Sequence, residues 1–135
     1  MNLDKVLADV QQSVPECVAV GLVELNSGML MGIRTVDSHP QEIIDLVAAA
    51  TGDLFQGRNV VTIEQLFRKS RGLPPNDTHH YFREIISISD NLIHVFMRCK
   101  STSEMVLCFV CRVSANLGMV LTKARMGMPK VEAAL

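Results

Sequence analysis

At 135 residues, with 48% hydrophobic and 20% charged side chains, the chain is long enough to bury a core and too apolar to be disordered. Its net charge of −1 makes no electrostatic case for nucleic acid or an anionic membrane. No apolar run approaches the roughly 20 residues that span a bilayer, and Met1-Asn-Leu-Asp-Lys-Val6 lacks the features of a signal peptide, so a cytoplasmic protein is expected.

Leu3, Val6, Leu7, Val10 and Val14 follow the spacing of an amphipathic helix, with Asn2 able to cap it and Pro15 to stop it. Cys17–Leu25 is apolar on both alternating faces except at Glu24, as in an interior strand covered from two sides. Asn26-Ser27-Gly28 supplies a turn, and the chain returns as a strand over Met29–Val36. Asp37-Ser38-His39 before Pro40 reads as the start of a second helix.

That central helix, Pro40 to about Gln56, carries two apolar stripes side by side. Ile43, Val47, Ala50 and Leu54 form one; Ile44, Ala48, Thr51 and Phe55 form the other. With Leu46 on the flank, the apolar arc spans on the order of 200°, against the roughly 100° that covers one sheet. Small Ala48, Ala49 and Gly52 would let another backbone approach. The second stripe therefore covers either the following loop or a second copy of the chain, and two-fold dimers are the commonest oligomers.

Residues 57–80 read as a helix and loop. Thr62-Ile-Glu-Gln65 resembles a capping box and Gly72 a stop, predicting a short helix over 62–71. Leu73–His80 is loop by composition. Arg58, Arg68, Lys69 and Arg71 form a local basic cluster, which by itself describes a solvated face.

Three strands follow: Phe82–Ser89, a turn at Asp90-Asn91, Leu92–Cys99, the polar link Lys100–Glu104, and Met105–Val113. Ser114–Gly118 opens a last helix with Leu117, Val120, Leu121, Ala124 and Met128 on one side. Cys108 and Cys111 have metal-knuckle spacing, but residues three apart on a strand point to opposite faces. All four cysteines, with Cys17 and Cys99, are expected to be buried free thiols. Adjacent His79 and His80 lack a carboxylate or cysteine cluster, so no metal and no cofactor are expected.

The order is α-β-β-α-β-β-β-α: an α+β (α/β) chain with a single five-stranded antiparallel sheet and helices on both faces. The Val14-Pro15 step into Val18–Val23, the Asn26–Gly28 hairpin, the small-residue central helix, the meander and Asn116-Leu117-Gly118 together resemble the Roadblock / dynein light-chain family, in particular its bacterial members like mutual gliding-motility protein B. The resemblance spans nearly the whole chain as one profilin-like Roadblock domain over 1–135, with an inserted helix-loop at about 57–80.

It implies a homodimer in which central helices pair and third strands join two sheets. On this chain that seam would hold Ile44, Ala48, Thr51 and Phe55 on the helix, and Phe82, Glu84 and Ile86 on the strand. It further implies a non-catalytic regulator that binds a small Ras-like GTPase, some bacterial members stimulating GTP hydrolysis. The candidate contact face is the solvent side of the central helix: Glu42, Asp45, Ala49, Asp53 and Gln56. Independently, an edge strand beginning Phe82-Arg-Glu-Ile is an aggregation liability unless paired, which a second copy would solve. The alternative is a small-ligand sensor of profilin- or PAS-like shape, for which His94 and Arg98 are the available polar groups. An enzyme finds least support, since no phosphate loop, nucleophile elbow or metalloprotease motif is present.

Overall fold

The computed structural model describes residues 2–36, 41–74, 80, 82–102 and 104–135, and of 41–44 the backbone alone. The expected helix start at Asp37–Pro40, the side chains of Glu42 and Ile44, and His79 lie outside the described residues.

The elements run α1 (Leu3–Ser13), β1 (Cys17–Glu24), β2 (Met29–Thr35), α2 (Gln41–Gln56), α3 (Arg58–Ser70), β3 (Glu84–Ile88), β4 (Leu92–Arg98), β5 (Met105–Arg112) and α4 (Leu117–Glu132). The five strands form one antiparallel sheet in the order β2-β1-β5-β4-β3. β1 is thus interior, as its two apolar faces required. Gly28, with φ +68°, turns the β1–β2 hairpin.

Alternation divides the sheet between two cores. Val20, Leu22, Val95, Leu107 and Phe109 are buried with Val6, Leu7 and Val10 of α1 and Val120, Ala124 and Met128 of α4. On the opposite face Val23, Phe96, Val106 and Cys108 pack with Ala48 and Phe55 of α2. Asn2 caps α1 by accepting from the Asp4 amide (2.8 Å), and Asn116 caps α4 by accepting from Met119 (3.0 Å). Cys108 and Cys111 fall in different cores, so their side chains diverge as the strand period required. Among the described residues all four cysteines are free and buried.

Two expected boundaries are corrected. α3 begins at Arg58, not at 62, because Gly57 ends α2 and serves directly as its N-cap. A Cβ at Gly57 would lie 2.4 Å from the Asp53 carbonyl oxygen, so this helix-to-helix corner needs glycine. Thr62 then sits inside the helix, donating to the Arg58 carbonyl (2.9 Å), and is no cap. β3 is shorter than Phe82–Ser89: the Arg98 amide still reaches the Arg83 carbonyl (2.8 Å), but the ladder starts at Glu84 paired with Met97.

Candidate interaction surface

The described residues of the second α2 stripe face the chain's own sheet and those of the first face outward, the reverse of the seam that the resemblance implied. Ala48, Thr51 and Phe55, expected at a helix–helix seam, are buried against the chain's own sheet. Phe55 meets Phe96 edge-on with ring centroids 6.5 Å apart. Ala48 packs among Val23, Val106 and Cys108 of the sheet, and Gly52 faces the turn after β1, where a Cβ would meet the Leu25 carbonyl at 3.7 Å, an ordinary contact. Thr51 is satisfied by donating to the Val47 carbonyl (2.9 Å). The outward apolar residues are therefore Leu46 (63% exposed), Val47, Ala50 and Leu54. Asp45, Ala49 and Asp53 are exposed and Gln56 half-buried, so these candidate contact residues share the solvent side.

Next to α2, Arg98 of β4 joins three elements. Its Nε donates to the Phe82 carbonyl (3.1 Å) and a terminal nitrogen to the Phe55 carbonyl (3.4 Å), with the guanidinium 5.2 Å from the Phe55 ring centroid. Sequence reasoning offered Arg98 as a ligand group; the structure spends it internally, where burial pulls its pKa down. Glu64 of α3 points inward to the same region, 3.4 Å from Nδ1 of His80. Burial and Arg98 lower the His80 pKa, against the opposing pull of Glu64.

β3 is an end strand with Ile86 and Ile88 exposed. Glu84, expected at a strand–strand contact, is instead engaged by α4: Arg125 donates to both carboxylate oxygens (2.7 and 3.1 Å) and holds its pKa below the usual carboxylate range. Phe82 precedes the strand and packs partly into the α2 core.

Beside α2 the sheet carries a mostly apolar groove of about 430 Å³, reached by Thr51, His94 and Arg112. His94 stacks on Phe96 with planes 8° apart. Arg112 escaped sequence reasoning, although its even spacing from Cys108 placed it on this face. Among the described residues no group of three or more His, Cys, Asp or Glu is placed to hold a metal, and no helix is long and apolar enough to cross a membrane.

Comparison with solved structures decides the architecture. A Roadblock/LC7 domain from Streptomyces avermitilis superposes with a TM-score of 0.66 at 15% identity, covering 98% of this chain and 97% of that one. The chain has the Roadblock fold. MglB of Myxococcus xanthus matches at 0.69 and 16% identity over 98% and 96% of the two chains. An MglB with a tetrameric arrangement matches at 0.68 and 16% over 97% and 88%. No protein-family model and no curated protein matches the sequence. Among the described residues, the outward faces of α2 and α3 and the β3 edge expose large apolar side chains, as do Met29 and Met31 on the opposite edge strand and Met119 and Met126 of α4.

Proposed function

We propose that this protein is a single Roadblock domain acting as a cytoplasmic, non-catalytic, homodimeric scaffold that binds a small Ras-like GTPase and regulates it. The observation that carries this is the outward stripe Leu46, Val47 and Leu54 on α2 together with an unpaired β3 edge bearing Ile86 and Ile88. A strand edge offers unused backbone donors and acceptors, and a second copy can supply both a strand and a matching helix. The MglB neighbours, one in a tetrameric arrangement, support self-association. The Roadblock resemblance supports a Ras-like GTPase partner, and exposed Asp45 and Asp53 offer it a carboxylate-rich face.

The test is light scattering of the free protein and capture of GTPases loaded with GDP or a non-hydrolysable GTP analogue. A dimer mass and preference for one nucleotide state are expected, because a binder discriminates only through groups that differ between the two states. A monomer at micromolar concentration that retains no GTPase overturns the reading.

The groove beside α2 favours a second reading, a small-ligand sensor. Its volume lies in the range of small-molecule sites, and His94 with Arg112 would suit a ligand with one anionic end. Displacement of an apolar fluorescent probe by such ligands, abolished in Val110→Trp, is its expected signature.

A further inference from the structure

We infer that α3 belongs to the contact between two copies of this chain, its Ile63, Leu66 and Phe67 face packing on the second protomer beside the α2 seam; this rests on the dimeric reading above. α3 is turned inside out. A surface helix normally buries its apolar stripe, yet here Glu64 is 7% exposed while Leu66 is 62% exposed, with Ile63 and Phe67 also open. The inward carboxylate meets His80, and rotating α3 to bury Leu66 would break that contact and turn Glu64 out to solvent.

The first turn of α3 meets the end of the outward face of α2. One open cleft of about 800 Å³ is lined by Asp53 and Leu54 of α2, Arg58 and Val60 of α3, and Phe82 at the approach to β3. Among the described residues, the exposed large apolar side chains Leu46, Val47, Leu54, Ile63, Leu66 and Phe67 of the two helices offer on the order of 500 Å² per protomer, most of the ~800 Å² that each side of a stable interface buries. The pairing of β3 edges would supply the remainder.

Charge selects a second copy as the occupant. Asp53 and Arg58 line the same cleft, and Lys69 and Arg71 lie at the far end of α3, with Arg71 stacked 4.4 Å from the Phe67 ring centroid. Under a two-fold axis residue i meets j and j meets i, so an apolar strip bordered by both signs complements itself. An anionic lipid surface or a partner face of one sign would match only half of it.

The experiment measures the dimer dissociation constant of the full chain by analytical ultracentrifugation for wild type, Leu66→Glu/Phe67→Glu, the milder Ile63→Ser/Leu66→Ser, and Leu54→Glu, with circular dichroism to check folding. The expected result is at least tenfold weaker dimerisation in both α3 variants with the helical spectrum retained. If Leu66→Glu/Phe67→Glu fails to fold, the serine pair decides. A dimer weakened by Leu54→Glu and untouched by the α3 variants overturns this inference and leaves the dimeric reading standing. A monomeric wild type overturns both. An unchanged dimer that loses GTPase capture, or binding to phosphatidylglycerol vesicles, also overturns it by assigning the face to that partner.

Discussion

His80 and Glu64 meet at 3.4 Å across the junction between α3 and the approach to β3, with buried Arg98 behind them. The His80 pKa is lowered first by burial and then by Arg98 and Arg68, while Glu64 raises it, so the neutral imidazole is favoured in the folded chain. A group that binds fewer protons folded than unfolded contributes stability above its unfolded value of 6.5 that is lost as pH falls through the folded one. The melting temperature should therefore drop between pH 7.5 and 5.5. His80→Gln should flatten that part of the profile and leave the lower carboxylate-linked part, to which Glu84 contributes through Arg125, unchanged.

Phe55 is fully buried on the sheet side of α2. Phe55→Ala should cost about 3–5 kcal/mol by removing the ring and leaving a cavity against Phe96. Ala48→Glu should destabilise the monomer itself by placing a carboxylate among Val23, Val106 and Cys108. Urea unfolding reads both. Dimer loss in Ala48→Glu with unfolding unchanged would contradict the observed orientation of α2.

Much of the fold was legible in the residues because its periods are clean. The α1 stripe and the apolar runs of β1 and β5 pointed to an amphipathic helix and to strands covered from both sides. α2 gave no such pointer, since both of its stripes are apolar and hydropathy cannot rank them. The side that turned inward carries Ala48 and Thr51, small enough to sit among Val23, Val106 and Cys108, together with Phe55 against Phe96. α3 resisted for the opposite reason. Apolar periodicity assumes the greasy side turns inward, and an inward Glu64 engaged with His80 inverts that rule. The fate of Arg98 depended on carbonyls of Phe55 and Phe82, distant in sequence and invisible to any local pattern.

The carboxylate face of α2 yields a prediction about binding rate. Asp45→Lys/Asp53→Lys, both exposed, should slow association with the GTPase, with ultracentrifugation of the same variant separating any loss of dimer because Asp53 also lines the α2–α3 cleft. The wild-type association rate should fall as salt rises, and the double variant should lose that dependence. Stopped-flow mixing at two ionic strengths measures both. A double reversal that binds as wild type removes this face from the contact.

The cysteines should be inert in the native state. Burial pushes the Cys99 and Cys108 thiols up to about 12; the hydrogen bond between Cys17 and Cys111 raises the first and lowers the second, but Cys111 is 0% exposed and out of a reagent's reach. The thiolate is the reactive form, so iodoacetamide at pH 8 should modify fewer than one thiol per folded chain, and all four in denaturant, by mass spectrometry.

The place of β1 between β2 and β5 has a consequence for synthesis. Its second neighbour is the last of the five strands in chain order, so a nascent chain holding β1, β2 and α2 presents a long apolar strand with one side unzipped. Loop closure over some ninety residues must precede the Val20–Phe109 pairing, which makes productive folding of the sheet wait for β5 to emerge. Chains stalled before Met105 should stay protease-sensitive, and protection should arise abruptly once β5 and α4 emerge.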